Sequence, residues 1–127
     1  MLYVEDNTAN LKLIEQALRR RPDVTLLSAA QGTLGLDLAR QHRPDLVLLD
    51  VHLPDISGDE FLHRLRGDPT TGDIPVIVIS ADATPRQGQR LLDAGAKDYL
   101  TKPLDIHRFL QVLDGALKER ELDQAGP

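Results

Sequence analysis

The stretch Leu46-Val47-Leu48-Leu49-Asp50 restricts the fold of this chain more than any other: four apolar residues run without a polar break and end in a carboxylate. Flanked by Pro44 and Pro54, such a run reads as a strand buried on both faces, the habit of parallel sheets. Val76-Ile77-Val78-Ile79 repeats the pattern and ends in Ser80. Leu2-Tyr3-Val4 ends in Glu5-Asp6, and Asp98-Tyr99-Leu100-Thr101 leads into Lys102-Pro103. Val24 to Ala29 reads as one further strand. In an open parallel sheet the carboxyl ends of the strands border the ligand crevice. Glu5, Asp6, Asp50, Ser80 and Lys102 are therefore the candidate site residues.

Helical patterns separate these runs. Asn7 can cap a helix with Leu11, Ile14 and Leu18 on one stripe and Leu13 and Ala17 beside it; Arg19 to Arg21 form its solvated end before Pro22. Leu34, Leu38 and Ala39 mark a short helix that ends before Pro44. Ser57 and Glu60 make a capping box for a helix that buries Phe61, Leu62 and Leu65. The segment from Gly67 to Pro75, rich in turn residues, is expected on the surface. Thr84-Pro85-Arg86-Gln87 starts a helix over 86–95 that is apolar only at Leu91, Leu92 and Ala94, so it should be the least firmly docked. Asp105 can cap a last helix with Ile106, Phe109, Leu110, Leu113, Ala116 and Leu117 on its stripe, fraying beyond Lys118.

Five strands alternating with five helices predict an α/β fold, a parallel sheet covered on both sides by right-handed crossovers. Among common solutions of this size the flavodoxin-like (βα)5 three-layer sandwich, order 2-1-3-4-5, is the leading candidate. It makes strands one and three neighbours and brings Glu5, Asp6 and Asp50 to one edge, with Ser80 and Lys102 facing the same crevice. At 127 residues the chain makes one domain, over 1–118, with a polar tail over 119–127. Apolar content of 41% against 28% charged fits a globular protein, and a net charge of −5 without a basic stripe argues against a nucleic-acid surface. The absence of cysteine excludes disulfides and thiolate chemistry. No apolar run approaches the roughly 20 residues of a membrane span, and no signal peptide fits before Glu5.

Three carboxylates in one crevice repel each other, so either one protonates or a divalent cation sits among them. An all-oxygen set suits Mg2+, or Mn2+ in its place. A cation, a lysine and a hydroxyl around a carboxylate suit phosphoryl transfer, with the carboxylate itself as nucleophile. Asp50 is the best centred of the three for that role.

With these residues in order, the chain resembles a receiver domain of the two-component response-regulator family from Leu2 to about Lys118. The resemblance rests on Val4-Glu5-Asp6-Asn7, on Asp50 within Leu48 to Pro54, and on Gly58, Ser80-Ala81, Tyr99 and Lys102-Pro103. It implies that Asp50 accepts a phosphoryl group from a phosphohistidine on a sensor histidine kinase or a histidine phosphotransfer protein. Asp6, Asp50 and the His52 backbone carbonyl would ligate Mg2+, with Glu5 helping; Ser80 and Lys102 would contact the phosphoryl oxygens. Ser80 and Tyr99 would be the switch residues, the Lys102–Pro103 bond would be cis, and the output face would be 86–118, open to pairing with a second copy. His52 and Asp82 occupy positions that tune the acyl phosphate's lifetime, while His42, His63 and His107 are read as surface residues.

The domain so read assists its own phosphorylation and dephosphorylation, and only a parent histidine kinase would be an enzyme in the usual sense. The opening Val4-Glu5-Asp6-Asn7, with Asn10 after it, resembles receivers fused to hybrid sensor kinases, placed in the cytoplasm without membrane contact of their own. A free-standing single-domain regulator is the second reading. The third is a Mg-dependent aspartyl-phosphate phosphatase of the haloacid-dehalogenase type, which would carry an Asp where this chain has His52.

Overall fold

A computed structural model describes residues 1–81 and 84–124; Asp82 therefore lies outside the described residues. The two continuous apolar runs form the middle of the sheet. β3 (Val47–Asp50) and β4 (Val76–Ser80) are buried at every position, because helices cover both faces. β1 (Leu2–Val4), β2 (Leu27–Ala29) and β5 (Asp98–Thr101) complete a five-stranded sheet of order β2-β1-β3-β4-β5, every pairing parallel. This is the flavodoxin-like order; of the five α-helices found among the described residues the first four supply its crossovers, and the fifth follows the last strand.

The core is split by the sheet. On one side α1 (Thr8–Ala17) and α5 (Ile106–Gln124) pack Ile14, Ala17, Phe109, Leu113 and Ala116 against Tyr3, Leu48, Ile77 and Leu100. On the other, α2 (Gly32–His42), α3 (Gly58–Gly67) and α4 (Pro85–Asp93) pack Leu36, Ala39, Phe61, Leu62 and Leu91 against Val4, Leu49 and Val78. Caps start the helices as the residue types require. Asn7 accepts from the amides of Ala9 and Asn10, Ser57 from Glu60, Thr84 from Gln87 and Asp105 from Arg108.

Several elements differ from expectation. β2 begins at Leu27 rather than Val24: Leu27 lies opposite Leu2, the first residue of β1, and before it the Met1 amino group donates to Thr25 O at 2.7 Å. On α2 the buried stripe is Gly32, Gly35, Leu36 and Ala39, whereas Leu34 is 46% exposed. The helix turns its small residues inward because it runs close to β1; a Cβ on Gly35 would stand 2.8 Å from Val4 Cγ2. The segment between α3 and β4 is not all surface, since Thr71 and Ile74 are buried. Thr71 Oγ1 donates to Leu65 O at 2.8 Å, and the Arg66 guanidinium donates to Ile74 O at 2.6 Å and Gly95 O at 2.8 Å. Arg21 is not merely solvated: it forms a two-pronged pair with Asp114 of α5, both contacts 2.7 Å. α5 continues past Lys118 to Gln124, with Arg120 donating to the Asp73 carbonyl at 3.2 Å.

Candidate functional site

Register alone brings the acids together. Val4 lies opposite Leu49, so Glu5 and Asp6 leave β1 level with Asp50 at the end of β3. Asp50 pairs with Ile79, and Ser80 with Thr101, so the ends of β4 and β5 border the same edge. One carboxylate oxygen from each of Glu5, Asp6 and Asp50 lies within 4.8 Å of the other two. Asp50 is only 2% exposed and Glu5 4%, while Asp6 is exposed in a cleft shared with the loop from Val51 to Ser57.

Asp50 is held from two sides. Lys102 Nζ lies 2.9 Å from Oδ2, and the His52 amide donates to Oδ1 at 2.9 Å. Burial pushes this carboxyl up, but the facing Glu5 carboxyl, the His52 amide and Lys102 outweigh it and hold it below the usual range. Glu5 moves the other way. Burial first, then the Asp50 carboxylate, push it up to about 7, against the opposing Asn10 bond and Lys102. At an effective dielectric near 20, two ionised carboxylates at this spacing repel by about 3 kcal/mol, so the two carboxyls titrate apart, Asp50 downward and Glu5 upward.

Glu5 Oε1 accepts from Asn10 Nδ2 and, at 3.4 Å, from the Tyr3 hydroxyl; Oε2 is buried with no hydrogen-bond partner among the described residues. A buried carboxylate oxygen left bare beside two further acids is what a hard cation would satisfy, and three oxygen donors without imidazole or thiolate suit Mg2+ or Mn2+. The residues present fit such an ion.

The remaining candidates fall around this centre. Ser80 is buried at the end of β4, and its carbonyl accepts from the Lys102 amide at 2.9 Å. The Lys102–Pro103 peptide bond is cis. Tyr99 is half-buried on β5 with its ring against α4 at Gly88, where a Cβ would stand 2.2 Å from Tyr99 Cζ. Only a residue without a side chain permits that approach. Of α4, Gly88 and Leu91 are buried, while Leu92 and, just past the end of the helix, Ala94 are exposed.

Three participants give little or no sign of their roles in the sequence. Tyr3 reads as part of an apolar run, although side chains two apart on a strand share a face and its hydroxyl points to Glu5. Asn10 stands out only through its likeness to kinase-borne receivers, which says nothing of a bond to Glu5. Asp55 in the β3–α3 loop accepts from the amides of Gly32 (2.7 Å) and Thr33 (2.9 Å) and from the Thr33 hydroxyl (2.7 Å), so it caps α2 from across the fold. These bonds hold its carboxyl far below the ordinary range, the Thr33 amide most strongly. No local signal could announce that partner.

The chain is similar to known proteins in sequence and in fold. The model of the response regulator receiver domain matches residues 1–114. The polar-differentiation response regulator DivK of Brucella anthropi is 36% identical over 117 residues, covering 92% of this chain and 94% of that protein. A sensor histidine kinase receiver domain from Pseudomonas aeruginosa, solved with a magnesium ion coordinated in its active site cleft, superposes with a TM-score of 0.81 at 29% identity, over 92% of this chain and 95% of that one. A CheY-like receiver domain protein from Methanospirillum hungatei gives a TM-score of 0.84 at 28% identity, over 96% and 95%.

Proposed function

This chain belongs to the response regulator receiver domain family, and on that premise we propose that it works in a phosphorelay with Asp50 as the phosphoacceptor. The observation that carries the reading is the placement of Asp50: a buried carboxylate at a strand end, 2.9 Å from Lys102 Nζ and beside two further acids. Burial strips water from the nucleophile, and Lys102 keeps it charged.

In the proposed reaction a carboxylate oxygen of Asp50 attacks the phosphorus of a phosphohistidine on a sensor kinase or a histidine phosphotransfer protein. The P–O bond forms as the P–N bond breaks, and the departing ring nitrogen takes up a proton. Glu5, Asp6, Asp50 and the His52 backbone carbonyl would hold Mg2+, or Mn2+, which when bound supplies positive charge to the phosphoryl oxygens. Lys102 and the Ser80 hydroxyl take those oxygens from the protein side. Attack by water on the phosphorus later returns the carboxylate, and His52 and Asp82 are the residues proposed to tune its rate.

Phosphorylation replaces one negative charge on Asp50 by about two. Lys102 and Ser80 follow the added oxygens, and the loops after β4 and β5 draw in. α4, held to the core through Gly88 and Leu91, and the Tyr99 ring are the parts proposed to respond. The output would appear on the face over 86–118, where a second copy or a target docks. The proposed place of work is the cytoplasm, where a kinase draws on ATP; among the described residues no helix is long and apolar enough to cross a membrane. The similarity to DivK over 94% of that protein favours a free-standing regulator, whereas Asn7 and Asn10 beside the acid pair favour a kinase-borne receiver. The parent reading frame decides between them.

The test is incubation with acetyl phosphate and Mg2+, followed by intact-mass measurement. One phosphoryl group should add to the wild-type domain and none to Asp50→Asn. Equal labelling of the variant would refute the assignment. Steady turnover of generic phosphomonoesters would instead favour the haloacid-dehalogenase type of phosphatase.

A further inference from the structure

Glu5 is the least symmetric carboxylate in the pocket. Oε1 takes two neutral donors, Asn10 Nδ2 and the Tyr3 hydroxyl, while Oε2 takes none among the described residues though it is buried. Neither donor is needed where it stands for the fold alone. The start of α1 is capped by the Asn7 side chain, which takes the Asn10 amide at 3.2 Å, so the Asn10 side chain is left for Glu5. Tyr3 is 1% exposed among apolar side chains, a place Phe would fill equally well, yet its hydroxyl is turned to the strand end.

From this asymmetry we infer that Tyr3 and Asn10 are positioning residues, which fix Oε1 of Glu5 so that Oε2 is presented to the cation site. The choice of neutral donors matters chemically. A lysine or arginine in either place would hold Glu5 as firmly but cancel the charge that draws the cation; an amide and a phenol orient the carboxylate and leave that charge in place. The two donors approach from different elements, one from the strand before Glu5 and one from the helix after it. Together they fix the side chain where neither would alone. This inference rests on the phosphoacceptor reading of the pocket.

The experiment measures Mg2+ affinity by calorimetry in wild type, Tyr3→Phe, Asn10→Ala, Glu5→Ala and Glu5→Ala combined with Asn10→Ala, with urea unfolding in EDTA as the control for folding. Asn10→Ala should weaken Mg2+ about 10-fold, the lower end of what outer-shell partners contribute. Tyr3→Phe, whose contact is longer, should weaken it about 2- to 3-fold. In the Glu5→Ala background, Asn10→Ala should have no further effect, which a purely structural role would not produce. Wild-type affinity in Asn10→Ala, or an equal loss with and without Glu5, would overturn the inference and leave the phosphoacceptor reading standing. Failure of the wild-type domain to bind Mg2+ would overturn both.

Discussion

Replacing Glu5 by glutamine should make the metal-free domain more stable, and only at high pH. Burial and the Asp50 carboxylate raise the Glu5 carboxyl from an ordinary 4.5 to about 7. Between those values the folded domain keeps a proton that the unfolded chain has released, so stability falls as pH rises through the window and stays lower above it. At about 1.4 kcal/mol per tenfold change in proton activity, the interval is worth about 3 kcal/mol. A glutamine side chain cannot ionise: its carbonyl can still accept from Asn10 and Tyr3, and its amide nitrogen would stand where the bare Oε2 now is, offering Asp50 a donor instead of a repelling oxygen. Urea unfolding in EDTA at about pH 8 should therefore show Glu5→Gln more stable by about 3 kcal/mol, or about 10 °C in Tm, and the difference should shrink towards zero near pH 5. The Met1 amino group, lowered by burial, titrates alike in both proteins and drops out of the comparison. Saturating Mg2+ should stabilise the wild type more than the variant and close the gap. Equal stability at pH 8 without metal would refute the account of Glu5 as a carboxyl raised by burial and by its Asp50 neighbour.

Asp50→Asn should lose most of the stabilisation that Mg2+ confers on the wild type, which amounts to about 2.7 kcal/mol at a hundredfold excess over Kd; melting with and without the ion checks it. Gly88→Ala should drive the Tyr99 ring out of its seat while overall stability stays within about 1 kcal/mol, because the helix gains from alanine what the packing loses; unchanged Tyr99 ring resonances would refute this. Arg66→Met should cost about 3 kcal/mol in urea unfolding, since the carbonyls of Ile74 and Gly95 lose charged donors in partly buried positions.

Much of the sheet is legible in the sequence because its central strands are covered on both faces, and such strands announce themselves as unbroken apolar runs. Their polar ends then name Glu5, Asp6, Asp50, Ser80 and Lys102, which register brings to one edge. Where neighbours decide, the chain is mute. β2 is shorter than its own composition suggests: its three residues match those of β1 one for one. The inward face of α2 is set by how close Gly35 must come to Val4, which no tally of large apolar residues reveals. Tyr3 and Asn10 carry no visible sign of their bonds to Glu5, and Asp55 meets its partners 22 and 23 residues away.

That last contact bears on how the domain can be taken apart. Helix α2 begins on amides whose acceptor belongs to another loop, the one that also carries His52. A graft of α2 into a foreign scaffold would arrive with its first turn uncapped unless the recipient offered a carboxylate at the same spot. Conversely, a transplanted β3–α3 loop would lose its mooring and, with it, the backbone that steadies Asp50. Chimeras of this domain should therefore be cut so that residues 32, 33 and 55 travel together.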